Sequence, residues 1–448
     1  MENYKVAIIG GGPAGMMAAI SAAEQLKSKN QIVLIEKNDQ LGKKLLLTGG
    51  GRCNITNLSP MKKILDKFEK EEKFFLKHGF YTFDNKKLLS LFESKGLTFK
   101  TEENNRCFPI TDDSNSILKI LKEYLDEFNV DILLNNQVKS IEKIENNKNN
   151  KNNENNKKTS IFTIKTTNET IYSEKVILAT GGISYPQTGS TGDGYAIAKN
   201  FKHTISCLTP GAIPLKVEDN SLKQLSGIAL EDVIVSYKSK KIYGRGNVLI
   251  THFGLSGPPI LDISKYISEK IQIQRNEFNK GKKVDNTDEE EILLEDTFIN
   301  IDLAPDMTED ELNQKIIADS QTNGKTMIKN YLKYYLKNRF IDFFLNKINV
   351  SGNKTLSNMT KKDKNKIINN LKQLQIKIHS LPEKASMITC GGVNINEIDP
   401  KTMESKLDSG KGLYFAGELL EPCGPTGGYN LQIAFSTGYL SGISAAKD

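Results

Sequence analysis

Residues 4–15, Tyr-Lys-Val-Ala-Ile-Ile-Gly-Gly-Gly-Pro-Ala-Gly, leave the N-terminus few ways to fold. A short apolar strand runs into Gly10-x-Gly12-x-x-Gly15. An alanine-rich segment with helical spacing follows through Met16, Ala18, Ala19, Ala22, Ala23 and Leu26. A second apolar strand, Ile32 to Ile35, then ends in Glu36. Strand, glycine turn, helix, strand and terminal acid together make the dinucleotide fingerprint of a Rossmann-type α/β unit. Gly10 permits the tight turn, Gly12 lets backbone approach a pyrophosphate, and Gly15 lets helix pack on strand. The new helix aims unpaired N–H groups and its positive dipole end at the phosphates. Glu36 is placed to accept a hydrogen bond from a ribose 2′-hydroxyl.

The chain has 448 residues, enough for two or three domains. No run reaches the roughly 18 apolar residues a membrane span needs. The first strand starts too early to leave room for a signal peptide. Five scattered cysteines (Cys53, Cys107, Cys207, Cys390, Cys423) and four histidines suggest neither a disulfide framework nor a metal site. A cytoplasmic protein with reduced thiols is the expectation. Net charge is +7, concentrated in residues 325–377, where thirteen Lys/Arg face only Asp342 and Asp363. Lys325, Lys329, Lys333 and Lys337 recur every four residues, which predicts one basic helix face, with Tyr331, Tyr334 and Tyr335 between them. Such a stripe is either an RNA-binding footprint or the solvated face of a Lys-rich chain.

The fingerprint opens a segment that reads as helices over 61–99 and again from Ser114, where Asp112, Asp113 and Ser114 are N-cap candidates. Strands are expected at 130–134, 138–144, 161–166 and 170–179, with the Asn/Lys run 146–158 as a disordered hairpin loop. From about residue 197 short β-like segments take over, then a helical block at 308–374. The opening style returns at Gly412-Leu-Tyr-Phe-Ala-Gly417-Glu418. One nucleotide-binding domain interrupted by an insert explains this order. Its parts are 1–196 and 383–448, with the insert at 197–382 comprising a β-rich 197–306 and a basic helical 307–374.

Four glycine-rich segments accompany one another: the fingerprint, Thr48-Gly-Gly-Gly51-Arg52-Cys53-Asn54, Ala179-Thr180-Gly181-Gly182, and Gly417-Glu418 followed by Gly427-Gly428-Tyr429-Asn430-Leu431. Three consecutive glycines let backbone lie flat against a bulky ring. A helix starting near Asn430 can aim its dipole at a ligand carbonyl. The motifs Gly49-Gly-Gly-Arg-Cys-Asn-Ile-Thr-Asn57, Gly181-Gly-Ile-Ser-Tyr-Pro-Gln-Thr-Gly-Ser-Thr-Gly-Asp-Gly194, Thr251-His-Phe-Gly-Leu-Ser-Gly-Pro258 and Thr426-Gly-Gly-Tyr-Asn-Leu-Gln-Ile-Ala434 resemble the BaiN/RdsA family of FAD-dependent oxidoreductases. The likeness spans essentially the whole chain.

The resemblance implies a Rossmann-type FAD domain built from both chain ends, around an insert with β-barrel-like and helical parts. It implies FAD contacts at Pro13, Ala14, Glu36, Lys37, Arg52, Cys53, Asn54, Val138, Thr180, Gly181, Glu418, Asn430 and Leu431, with NADH or NADPH as transient reductant. Some members resemble enzymes that reduce a uridine of large-subunit ribosomal RNA to dihydrouridine; others are linked to steroid enones or small amines. The sequence departs from the family pattern at Cys107, Cys390 and Pro422-Cys423-Gly-Pro425.

Hydride delivered from reduced flavin to an electron-poor C=C needs an oxyanion stabiliser and a general acid. Arg52 is the candidate stabiliser, and Cys53, His252 and Tyr429 are the candidate acids. An rRNA uridine is the expected substrate. A small-molecule flavoenzyme, either enone reductase or oxidase, is the alternative, and a flavin-bound scaffold without turnover is a third class.

Overall fold

The computed structural model describes residues 3–26, 31–146, 159–238, 242–281, 297–382 and 386–447. The chain divides into two compact units, Met1–Leu208 with Ile388–Asp448, and Thr209–Met387. Of the expected disordered loop, residues 146–158, Asn146 ends a strand and residues 147–158 lie outside the described residues. The strands flanking it, Val138–Asn146 and Thr159–Thr166, pair antiparallel.

In the first unit the described residues form a seven-stranded sheet. Parallel strands Asp131–Leu133, Ile32–Ile35, Asn3–Ile9 and Thr170–Leu178 lie side by side in that order. The last of these shares its far edge between two neighbours. Its first residues pair with the antiparallel strand Thr159–Thr166, its last with the parallel strand Leu413–Phe415. Register fixes the consequence: Ile9 stands opposite both Ile35 and Leu178, and Leu178 opposite Phe415. Gly10, Glu36, Ala179 and Ala416 therefore leave the sheet at one carboxyl edge, where open α/β sheets bind their ligands.

The central strands are apolar at consecutive positions because both faces are covered. Val6 and Ile8 enter one core with the helices Pro13–Leu26 and Ser114–Glu127, while Ala7 and Ile9 enter the other. Asp113 caps the second of these helices, its carboxylate accepting from the Asn115 N–H at 2.9 Å. Helix Pro13–Leu26 meets the C-terminal helix Tyr429–Ala445 through small residues. A Cβ on Gly438 would lie 2.3 Å from the Ala14 carbonyl oxygen, and one on Gly442 2.3 Å from that of Ala18. Any larger residue there would overpack the seam, at about 1–3 kcal/mol.

The second unit contains a closed barrel in the order Leu215–Val217, Gly254–Ser256, Ile242–Ile250, Ala229–Tyr237, Phe298–Asp302, Leu374–Ser380. Its core continues into helices Glu309–Thr322, Ile328–Tyr331, Asn338–Ile348 and Lys361–Lys372.

The lysine periodicity does not produce one helix face. Lys325 lies in a turn, before a break at Met327, which takes extended backbone and bridges to Thr355. Lys329 and Lys333 share the short helical stretch 328–334. Lys337 is extended again and stands just before the next helix. Burial of Ile328, Tyr331, Leu332, Leu336 and Phe340 steers this path, and the lysines follow. All four are exposed, and Lys337 pairs with Glu231 at 2.7 Å. Tyr331 is buried and donates to Asp319, whereas Tyr334 is 79% exposed. Among the described residues no helix is long and apolar enough to cross a membrane, and no His/Cys/Asp/Glu group could hold a metal ion.

Candidate functional site

The fingerprint glycines occupy different environments. Gly10 has φ +108°, and a Cβ on it would lie 2.5 Å from the Ala179 carbonyl oxygen. A Cβ on Gly15 would lie 1.8 Å from the Gly10 carbonyl oxygen. Gly12 has nothing within 4 Å on that side. Two glycines are thus demanded by the protein itself, while the third leaves open space beside the N-terminus of helix Pro13–Leu26. Proline at the first helical position costs no hydrogen bond there. Glu36 is buried and accepts from the Gly11 N–H at 2.7 Å and from the Asn38 N–H and Nδ2 at 2.8 and 2.7 Å. Lys37 pairs with Asp193 at 2.8 Å. Val138 turns its side chain into the core, so only its backbone is available to a ligand.

Close beside Gly10, Thr180 Oγ1 is buried without a hydrogen-bond partner; Thr163 Oγ1 is the one other such oxygen among the described residues. Gly181 beside it has φ +72°. Gly417 donates to Thr437 Oγ1 at 2.9 Å, which fixes where Glu418 emerges. The Glu418 carboxylate then receives Lys44 Nζ at 2.6 Å, Ser184 Oγ at 3.1 Å and the Thr389 N–H at 2.8 Å. Lys44 also donates to Ser184 Oγ at 2.6 Å. Sequence reasoning named Glu418 and missed the three groups that hold it. Lys44 precedes the glycine triplet and Ser184 sits inside a quoted motif, so both left a trace. Thr389 left none.

The segments 49–57 and 426–432 come together. Asn57 Nδ2 donates to the Gly427 carbonyl at 3.1 Å, and Thr56 Oγ1 to Gln432 Oε1 at 2.5 Å. Gly428 caps the C-terminal helix with its Cβ position 2.4 Å from the Thr56 carbonyl oxygen, so no side chain fits. Gly49, Gly50 and Gly51 all have positive φ, and Gly50 presents a bare face with nothing within 4 Å. The Asn430 side chain is clamped on the Gly424 backbone, accepting from its N–H at 2.9 Å and donating to its carbonyl at 2.8 Å. Leu431 is partly buried against the core. Asn54 Oδ1 accepts from the Cys107 N–H at 3.2 Å.

Four expectations need correction. Arg52 is not left facing a ligand. Its guanidinium pairs with Glu102 at 2.6 Å and Asp112 at 3.4 Å, and lies 4.2 Å from the Phe108 ring centroid. The Glu102 hydrogen bond raises its pKa further, so its charge is spent on bracing the loop. Cys53 is fully enclosed, and burial pushes its thiol up to about 12, which makes it a packing residue. Tyr429 is buried and edge-on to Phe68 rather than presented as an acid. Finally, the thiols are not all free: Cys390 and Cys423 form a disulfide across 33 residues, with Cα atoms 5.1 Å apart. Only the approach of strand Ile388–Cys390 to the loop before the C-terminal helix makes that pair, so spacing could not reveal it. His252 belongs to the second unit, exposed in the turn between two barrel strands, its ring edge-on to Phe253 at 4.9 Å.

The open side of Gly12, the buried Glu36 acceptor, the orphaned Thr180 hydroxyl and the bare Gly50 backbone fit an extended dinucleotide such as FAD. Residues 4–444 match the HI0933-like protein Rossmann domain. The chain is 27% identical to a 3-dehydro-bile acid delta(4,6)-reductase of Clostridium scindens, over 99% of each chain. It is 28% identical to a ribosomal RNA dihydrouridine synthase of Haemophilus influenzae, over 98% of each. An Escherichia coli protein with the same description is also 28% identical, over 98% of this chain and 97% of that one. Among solved structures, a 3-ketosteroid delta1-dehydrogenase from Sterolibacterium denitrificans aligns over 100% of both chains, with 12% identity and a TM-score of 0.48. The chain belongs to the HI0933-like family and is an FAD-dependent oxidoreductase.

Proposed function

We propose that this enzyme reduces the 5,6 double bond of a uridine in 23S ribosomal RNA, drawing electrons from NADH or NADPH through FAD. When bound and reduced, FAD supplies the hydride for that bond. The residues of the cradle hold and orient it. The Gly10–Gly15 turn and the following helix end take the pyrophosphate, Glu36 the ribose, and Thr180-Gly181, Glu418 and the Asn430-Leu431 helix start the remainder. Lys44, Ser184 and Thr389 keep Glu418 in one orientation, and Arg52 braces the glycine triplet through Glu102. Of the three candidate acids, Cys53 and Tyr429 are enclosed within the first unit, and His252 is the one exposed, on the second unit.

Two relatives are described as ribosomal RNA dihydrouridine synthases and one as a bile acid reductase. The observation that favours RNA here is the polar character of the helical insert. Lys361, Lys362, Asn365, Lys366, Asn369 and Asn370 lie along one open face of helix Lys361–Lys372. Exposed Lys329 and Lys333 precede exposed Tyr334 in the same short helical stretch. Lysines for phosphates with amides and an aromatic for bases suit an RNA strand better than a sterol.

Dihydrouridine mapping of 23S rRNA from a strain lacking this gene is the test. One modified position should disappear and return on complementation. An unchanged map, together with turnover of a steroid enone by the purified yellow protein, would establish the small-molecule alternative. Colourless protein that cannot be reconstituted with FAD would defeat both.

A further inference from the structure

The Cys390–Cys423 disulfide joins the two segments that hold Glu418 and Asn430. Thr389, one residue before Cys390, gives its N–H to Glu418 at 2.8 Å. Its Oγ1 accepts from the N–H groups of Ile183 and Ser184 at 2.8 and 3.1 Å. Gly424, one residue after Cys423, holds the Asn430 side chain with both its N–H and its carbonyl. Between these anchors the chain runs parallel to itself: Val393 donates to the Leu419 carbonyl at 2.9 Å, and Glu421 donates to the Val393 carbonyl at 3.2 Å. That pairing stops before Pro422. The disulfide, buried on both sides, takes over as the covalent link from strand to loop.

We infer that Cys390–Cys423 is a redox clasp on the cofactor cradle, so that FAD retention depends on the thiol–disulfide state of the surroundings. This rests on the FAD reading above. With the clasp closed, the Glu418 strand and the Asn430 loop are ordered before the cofactor arrives. With it open, their ordering must be supplied at binding, which weakens affinity. The agent is a dithiol. One of its thiolates attacks a sulfur of the Cys390–Cys423 bond, forming a mixed disulfide and freeing the other cysteine. Its second thiol then displaces the remaining protein sulfur. Two electrons and two protons reach the cysteine pair, and the dithiol leaves as a cyclic disulfide.

The full chain carrying C207S, which removes the exposed thiol, provides the background. Alkylation of the denatured, unreduced protein should label Cys53 and Cys107 alone, and all four remaining cysteines after dithiothreitol. Labelling of all four without reductant overturns the clasp. FAD affinity, followed by flavin fluorescence, should weaken about tenfold on reduction. C390S, C423S and the double variant should match the reduced protein and ignore dithiothreitol. A lower melting temperature with unchanged FAD affinity would make the disulfide merely structural and overturn the proposal. Hydrogen exchange of the apo protein separates this from the FAD reading. Reduction should deprotect residues 388–393 and 417–430, and unchanged exchange there defeats the clasp whether or not FAD binds.

Discussion

The cradle at the sheet edge and the lysine-rich stretch 325–337 are built on opposite terms. In the cradle the backbone is the ligand-facing surface. Gly10, Gly15 and Gly428 are each hemmed in by carbonyl oxygens at 2.5 Å or less from where a Cβ would stand. In the lysine stretch the exposed groups are long side chains, and the backbone beneath them bends wherever Ile328, Leu332 and Leu336 find the core. The first surface is rigid by exclusion; the second is a by-product of packing on its other side. A substitution in the cradle should therefore act all-or-nothing at a single position, whereas one in the lysine stretch should act in small, graded steps.

The sharpest break is between two glycines of the fingerprint. Gly12→Val adds its side chain to open space, so melting should be unchanged while FAD affinity falls by about a hundredfold or more. Gly15→Val instead drives a side chain into the Gly10 carbonyl and should prevent soluble folding. Equal loss of folding in both would mean that Gly12 serves packing, not a ligand. A smaller effect is expected on the other side. Lys361→Glu with Lys362→Glu should weaken affinity for an rRNA fragment by about tenfold and flatten its salt dependence by about two counterions. Lys329→Glu with Lys333→Glu should do less, and Lys337→Glu alone least, since Glu231 already pairs with Lys337. Filter binding across a salt series decides this, and equal effects at Lys329, Lys333 and Lys337 would restore the single-stripe picture.

A further effect, on stability and not on binding, concerns the buried thiol Cys107. Burial pushes Cys107 from its ordinary value of 9.0 up to about 12. A raised thiol value in the folded state means stability that is complete below pH 9 and is lost as pH climbs toward 12, at no more than about 1.4 kcal/mol per pH unit. Cys107→Val should remove that share of the alkaline slope in denaturant titrations at pH 8 and pH 10.5. An unaltered slope would place the thiol in contact with solvent.

Much of the site was legible in advance, and the reason differs by residue. Glu36 and Glu418 each follow a parallel strand, and a strand's end is where a side chain meets the ligand edge. Asn430 was marked by the glycines that start its helix. Arg52 misled because a guanidinium looks the same in sequence whether it meets a ligand or Glu102. Thr389 and the Cys390–Cys423 pair were invisible, because each acts through a partner that only folding brings near.

Residue order alone determined the α/β cradle, its assembly from both chain ends and the interrupting insert. Glycine spacing and apolar runs act within a few residues, where sterics leave little choice. Tertiary structure decided which charges are spent on one another, which cysteines join, and how the lysine stretch bends. Those outcomes depend on distances between residues far apart in the chain, and no local pattern encodes them.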